Sequence, residues 1–489
     1  MKTRVLAILG AVALLFAAAY ISYVSAWTKN SPRVHQHRIA RQPSEEEQSG
    51  EGWNLSTHLP IVMIDTLGQQ IPGVPFTDNA DKARSLAQDG RKMIHAKIKI
   101  IDNQTGDNHP SDEPALVSDI DMRIRGNSSR FFPKKSYRLD FLKPDGANNP
   151  VEPMGMQAHH EWALYGPYLD KTLIRNYLWY NLAGEMMDYA PNLRFCEVML
   201  NGEYRGLYLL TETITRGKNS RLRMRKSSDD IAATGYVLRL DRGSFNPLRN
   251  IKTFANYSFR SVAMVDIVWP ETGSLNAERI RFIENDFSAF EKSLYSYDYN
   301  NPKYGLSRWI NLDAFADYFI INELALNYDA GALSTYVYRD LGGKINPVIW
   351  DFNSASDNYM HHIEYATPFV LQYSVWYSRL MKDNDFVERI IARYRHYREG
   401  LLSDRALSGY IDETIRYLGP AVSRNFSAWG GSFKADLLLP KERNLRDYDS
   451  AVFQFRDTLL RRANWMDDHI EMLRQYCHPS RLGIDSLFN

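Results

Sequence analysis

The sequence predicts an α+β chain built in two lobes. Three observations carry that prediction. Segments with period-two alternation crowd residues 59–215, one helical pattern is inserted among them, and beyond residue 275 the periodicity turns helical. Leu59 to Asp65 is a short apolar run ending in a turn signal. Lys97 to Ile101, Ile120 to Arg125 and Lys135 to Phe141 alternate, with Gly126-Asn127-Ser128-Ser129 as a turn-rich connection between the last two. Arg194 to Leu200 and Gly206 to Thr211 form a hairpin around Asn201-Gly202, the dipeptide best suited to a two-residue turn. Between these strands, Lys171 to Met187 is helical, with Ile174, Leu178, Leu182 and Glu185 on one stripe.

The second lobe, residues 216–480, reads as helices over Asn276 to Tyr295, Asn311 to Tyr328, Asn384 to Leu402, Asp404 to Leu418 and Ser450 to Tyr476. Ser334 to Arg339 and Lys344 to Trp350 interrupt them as strands flanking Asp340-Leu341-Gly342-Gly343. There is no repeat of solenoid type, and the tail after Cys477 reads as loosely structured.

Composition bounds the function. In 489 residues, 59 Lys and Arg balance 58 Asp and Glu, a net charge of +1 that removes any global reason to expect a nucleic-acid partner. The 44% hydrophobic and 24% charged content excludes a disordered or collagen-like chain. Two cysteines, Cys196 and Cys477, exclude a disulfide scaffold and a cysteine zinc site, and leave a single bridge open.

Lys2 and Arg4 precede an apolar run from Val5 to Val24, and Val24-Ser25-Ala26 has the small residues of a cleavage site. Residues 1–26 are therefore a signal peptide or an uncleaved anchor, and the chain is exported, to the periplasm or beyond. Membrane contact is expected through this segment alone. Residues 27–58, with Pro32, Pro43 and Glu45-Glu46-Glu47, read as a linker in which His35 and His37 are solvated.

Three stretches bear chemistry. Arg123 to Phe141 packs Arg123, Arg125, Arg130, Lys134, Lys135 and Arg138 together. Alternation sets Lys135 on the face of Tyr137 and Leu139, where a lysine needs an anion or a carboxylate. Phosphate is one reading, with the Gly126-Asn127-Ser128 amides as a cradle; a lysine-protected edge strand is the other. In Asn311 to Asp329, Glu323 and Asn327 continue the apolar stripe of Leu312, Phe315, Phe319 and Ile320. They read either as a site or as a satisfied buried pair. The hairpin that follows brings Asp329, at its entry, next to Asp351, at its exit, with Asn353 two residues on. Two Asp and an Asn, without cysteine, suit a hard cation such as Mg²⁺ or Mn²⁺.

The strings I-R-G-N-S-S-R-F-F-P-K-K-S-Y-R-L-D-F, N-G-E-Y-R-G-L-Y-L-L-T-E, I-I-N-E-L-A-L-N-Y-D and V-I-W-D-F-N-S-A resemble, in order, the signature blocks of the CotH family of atypical secreted protein kinases. Arg175-Asn176 after Trp162-Ala163-Leu164 fits as well, and the resemblance spans residues 59–360. It implies a two-lobed, protein-kinase-like fold, with a β-rich N-lobe carrying one helix and a mainly helical C-lobe. By that resemblance Lys135 and Arg125 hold the phosphates of ATP, Glu185 is the carboxylate partner of Lys135, and Glu212 lies where the chain passes the adenine. Asp329 becomes the acid that orients or deprotonates an acceptor hydroxyl, and Asp351 with Asn353 the Mg²⁺ or Mn²⁺ ligands. The acceptor is then a protein of the cell envelope.

Two departures stand out. Asn353 occupies a position where members usually carry a second Asp, and Ser354-Ala355-Ser356-Asp357 lacks the Gly often found there. There is no Walker loop and no G-x-G-x-x-G. A nucleotidyl transferase on the same fold and a pseudokinase-like envelope scaffold are the competing readings. A hydrolase with paired carboxylates is weaker: G-x-S-x-G and H-E-x-x-H are absent, and His159-His160 and His361-His362 read as loop surface.

Overall fold

Strand β3 (Leu116–Arg125) shows how the sequence builds the first layer. Its even residues Ser118, Ile120, Met122 and Ile124 are buried while its odd residues stay at least partly exposed, so one face is apolar and the other charged. The same alternation recurs in β2 (Ile94–Ile101), again with even residues inward, and in β4 (Ser136–Leu142), where Tyr137, Leu139 and Phe141 turn inward. With β1 (Ile61–Asp65), β5 (Glu161–Tyr165), β6 (Leu193–Leu200) and β7 (Glu203–Glu212) they close a seven-stranded barrel in the order β1-β2-β3-β4-β5-β7-β6. The parallel pairing of β1 with β6, Ile61 opposite Glu197, completes the ring, so no barrel edge remains open. Ile98, Ile120, Leu139, Trp162, Val198 and Leu210 fill it. Asn201 and Gly202, both at positive φ (53° and 80°), make the β6–β7 turn that the sequence predicts.

A second sheet was legible only as its outer hairpin. Strands β8 (Tyr236–Asp241), β9 (Asn250–Ile251), β10 (Met264–Trp269), β11 (Thr335–Arg339) and β12 (Ile345–Val348) pair antiparallel in the order β12-β11-β8-β10-β9. Among the described residues the α-helices are α1 (Gln36–Ile39), α2 (Arg175–Met186), α3 (Ala277–Tyr295), α4 (Leu306–Trp309), α5 (Leu312–Ala325), α6 (Tyr377–Leu380), α7 (Asn384–Arg398), α8 (Asp404–Leu418), α9 (Pro420–Trp429) and α10 (Tyr448–His469). The chain is thus α+β, as its sequence predicts.

Helix α5 is buried on every side from Ala314 to Ala325 and packs against α2, α7 and α10, which makes it the axis of the larger core. Helix α2 is likewise buried on every side from Arg175 to Ala183, rather than along one stripe, because α5 and the barrel strand β6 both cover it; Glu185 near its end is exposed. Fully buried ion pairs cross between elements. Arg424 of α9 grips Glu197 of β6 with two bonds of 2.8 Å, and Tyr204 donates to the same carboxylate at 2.5 Å.

This computed structural model describes residues 33–44, 52–74, 85–217, 221–225, 227–228, 230–244, 246–255, 264–301 and 303–477. The apolar run of residues 5–24, residues 27–32 and 45–51 of the expected linker, and the tail after Cys477 lie outside them. Residues from His35 onward form one compact unit; of the preceding residues, only Arg33 and Val34 are described. Among the described residues no helix is long and apolar enough to cross a membrane.

One expectation is corrected and two open alternatives are decided by the packing. His35 and His37 are buried, not solvated, because α1 packs on α8. Both cysteines are free: Cys196 sits inside the barrel, so no bridge to Cys477 forms. Glu323 is the satisfied buried group rather than a site residue, paired with Arg462 at 3.0 Å and accepting the Leu371 N–H. Burial pushes its carboxyl up to about 7, although Arg462 pulls the other way.

Candidate active site

The β11–β12 hairpin delivers its two ends to one place. Ser334 at the entry (φ 48°) and Asp351 at the exit (φ 62°) both sit in the left-handed region, a backbone state that non-glycine residues occupy only when their surroundings hold them there. Those surroundings are on α2. The Asp351 N–H donates to the Tyr180 hydroxyl at 3.0 Å, and the Phe352 N–H donates to Asn176 Oδ1 at 2.8 Å. Asn176 and Tyr180 are one helical turn apart and so share a face. Arg175, beside them, donates to the Ala355 carbonyl at 3.0 Å and is locked by Asp170 at 2.6 Å. The Ser334 hydroxyl bonds the Asp351 carboxylate.

Asp329 arrives from α5. The helix ends at Leu326 in the left-handed conformation, and Asn327 donates to Asn322 Oδ1 at 2.9 Å, which fixes the turn leading out. The Asp329 carbonyl accepts from Ala332 and Leu333, while its carboxylate has no hydrogen-bond partner among the described residues. Burial raises the Asp329 carboxyl, with Arg242 opposing and Asp241 adding to the rise. Burial also pushes Asp351 up to about 6, and the Asp329 and Asp241 charges contribute; Arg125 and Ser334 act the other way. The Asp329 charge therefore reaches Asp351, while the acid that acts on Asp329 is Asp241.

Asp241, the last residue of β8, is a third acid that sequence reasoning missed. The signal was present: Tyr236-Val237-Leu238-Arg239-Leu240-Asp241 alternates as strands do, yet no motif marked it. Asn353 stands two residues past Asp351, half-exposed, and its carbonyl accepts from Asn358 at 2.6 Å.

Among the described residues no group of three or more His, Cys, Asp and Glu converges as a ready metal cage. A divalent ion nonetheless fits the donor set. Mg²⁺ is commonly held by one or two carboxylates plus substrate phosphates and water. Two partly desolvated acids repelling each other are a place where a dication relieves charge.

The basic stretch divides on folding. Arg125 lies on the outer, charged face of β3 with its guanidinium 5.2 Å from the Trp350 ring, next to Asp351 in sequence. Arg123, on the same face, makes no ion pair or hydrogen bond among the described residues; burial and the charges of Arg138 and Arg125 lower it to about 10. Gly126, at φ 113°, closes the loop so tightly that a Cβ there would meet Ser129 Oγ at 2.0 Å.

The lysine phase differs from the sequence expectation. Strand pairing starts only at Ser136, after Pro133, and it is Lys134 that is fully buried. Its Nζ donates to the Leu207 carbonyl and to Asn425 Oδ1, each at 2.6 Å. Lys135 is half-buried and donates to the Arg130 carbonyl at 2.6 Å, which leaves two of its N–H groups for a ligand. Burial lowers its pKa.

The expected Lys135–Glu185 pair does not form, because Glu185 faces His35, 2.8 Å from its Nε2. Glu212 is wholly buried at the end of β7. One oxygen accepts the Asn192 N–H at 2.9 Å; the other lies 3.7 Å from Arg221 Nε without a hydrogen bond.

Comparison with known proteins agrees with the residue blocks. The model of the family described as CotH kinase protein matches residues 122–466. The chain belongs to the CotH family. A curated member, the inner spore coat protein H of Bacillus subtilis (strain 168), is 21% identical over 362 residues, covering 73% of this chain and 88% of the relative. The matched span includes Arg123, Arg125, Lys135, Asp329, Asp351 and Asn353.

Proposed function

We propose that this chain is an exported, CotH-type atypical protein kinase, an ATP-dependent phosphotransferase with a protein-kinase-like arrangement of two lobes. The observation that carries the reading is the meeting of Asp329 and Asp351 at one end of the hairpin, with Arg125 on the barrel face beside them. Phosphoryl transfer asks a protein mainly for positioning and charge neutralisation, and this inventory supplies both.

Asp329 is free to accept a hydrogen bond from an acceptor hydroxyl and to take its proton. Asp351 and Asn353 would hold Mg²⁺ or Mn²⁺, which when bound neutralises the phosphate charges. Arg125 and Lys135 bind phosphate oxygens of ATP, and Arg123 adds positive field. Membership in a family described as kinase protein supports the activity. The N-terminal apolar run and a relative named for the spore coat support an envelope or surface setting and a protein substrate there.

One observation favours a second reading. Among the described residues Lys135 has no carboxylate partner, and Glu185 faces His35 instead. A nucleotide could then lie in a different orientation, as in a nucleotidyl transferase, or bind without transfer, as in a pseudokinase-like scaffold. The deciding experiment incubates the protein with ATP labelled at the γ-phosphate, Mn²⁺ and a hydroxyl-bearing acceptor protein, beside Asp329→Asn. Label in the acceptor with the wild type and none with the variant supports the kinase. Label from the α-phosphate instead refutes it.

A further inference from the structure

Helix α1 touches three elements at once. The Gln36 side-chain amide pairs with Phe195 of β6 as a neighbouring strand would: Nε2 donates to the Phe195 carbonyl at 3.1 Å, and the Phe195 N–H donates to Oε1 at 2.7 Å. This extends the β1–β6 pairing, which reaches only to Glu197. The buried His37 meets Tyr177 of α2 twice. Its N–H donates to the Tyr177 hydroxyl at 3.1 Å, and Nδ1 lies 2.9 Å from the same oxygen. His37 Nε2 faces Glu413 of α8 at 3.3 Å, and Arg38 Nε donates to that carboxylate at 2.9 Å. His35 bridges Glu185 of α2 at 2.8 Å and Tyr410 of α8 at 2.9 Å.

Tyr177 and Glu185 lie on the helix whose Asn176 and Tyr180 hold the backbone of Asp351 and Phe352. At about 100° per residue, Glu185 points nearly opposite the Asn176–Tyr180 face and Tyr177 points about 80° to one side of it. Helix α2 is thus gripped from two sides, by α1 on one and by the Asp351 loop on the other. Since α2 is buried without a break from Arg175 to Ala183, a shift at Tyr177 has little solvent-exposed slack to absorb it, although Glu185 near the helix end is exposed.

We propose that residues 35–39 are a clamp that sets the position of α2 and, through Asn176 and Tyr180, holds Asp351 and Phe352 in place. Releasing the clamp loosens residues 351–356 before it opens the barrel. Gln36, His37 and Tyr177 are then positioning residues, since none of them reaches the carboxylates. The consequence for catalysis rests on the phosphotransfer reading; the clamp's hold on the loop does not.

Amide hydrogen exchange on the full chain tests this, comparing wild type with Gln36→Ala, His37→Ala and the gentler Tyr177→Phe. The clamp predicts exchange at Asp351 and Phe352 about tenfold faster in the first two variants and measurably faster in the third. The β2 and β3 amides should be unchanged. Titration with Mn²⁺ alone should require more metal for the same thermal shift. Unchanged exchange at 351–352 while residues 35–39 exchange freely would overturn the proposal. So would equal acceleration in β2, β3 and the loop, or a Tyr177→Phe protein indistinguishable from wild type. If the exchange changes appear but no form transfers phosphate, the kinase reading fails and the clamp stands.

Discussion

Replacing Asp351 by Asn should make the metal-free protein more stable at neutral pH, although it removes a proposed metal ligand. The Asp351 carboxyl is pushed from an ordinary 3.8 to about 6, chiefly by burial and then by Asp329. At about 1.4 kcal/mol per pH unit, ionising it in the folded state costs up to about 3 kcal/mol. Asp351 is half-exposed, so solvent screening makes that figure a ceiling. Loss of the Ser334 bond to the carboxylate offsets about 1 kcal/mol of the gain.

The sign follows from linkage. Because the folded pKa is raised above the unfolded value, the stabilising contribution is complete below about pH 4 and is lost as pH rises through about 6. Urea unfolding in EDTA at about pH 5 and about pH 7.5 should therefore show the variant's advantage growing with pH, to about 1–2 kcal/mol at the higher value. Mn²⁺ at a hundredfold excess over its dissociation constant should stabilise wild type by about 2.7 kcal/mol. It should stabilise Asp351→Asn far less. A variant less stable than wild type at both pH values, with an unchanged response to Mn²⁺, would refute both the desolvated-acid description and the metal assignment.

Other consequences are simpler to read. Lys135→Ala should weaken ATP binding by about tenfold, consistent with the loss of one charge-assisted contact, with little effect on folding; titration calorimetry measures it, and unchanged affinity would return the hydrolase reading. Arg424→Met leaves Glu197 buried without its ion pair, held among the described residues only by the Tyr204 hydroxyl, and should cost about 3 kcal/mol in urea unfolding. Cys477 should alkylate in the native protein. Cys196, enclosed in the barrel with its thiol pushed up by burial, should react only after denaturation, as mass spectrometry of labelled peptides would show.

Much of this architecture could be read from the sequence because its signals are local. Strands β3 and β4 alternate cleanly, Asn201-Gly202 admits positive φ, and Asn276, Asn311 and Ser403 cap α3, α5 and α8 with side-chain bonds to the backbone. That the Asp329 charge would reach Asp351 could be expected because a hairpin necessarily brings its two ends together.

What escaped was set by long-range packing. Asp241 joins the site through a sheet order that no local pattern encodes, with β8 inserted between β10 and β11. Lys134 rather than Lys135 turns inward because Pro133 delays the start of pairing. His35 and His37 looked like residues of a tether, since nothing nearby hints that Tyr177, Tyr410 and Phe195, more than 130 residues away, form their pocket. Glu185 looked available to Lys135 for the same reason.

The central claim is that the Asp329–Asp351 pair transfers the γ-phosphate of ATP. Intact mass of the chain without residues 1–26, recorded after incubation with ATP and Mn²⁺ or Mg²⁺ and an acceptor protein, tests it most directly, with Asp329→Asn and Asp351→Ala run alongside. The account predicts a phosphoryl increment on protein in the wild-type reaction and none with either variant. An adenylyl increment, or a phosphoryl increment that survives in both variants, would contradict it.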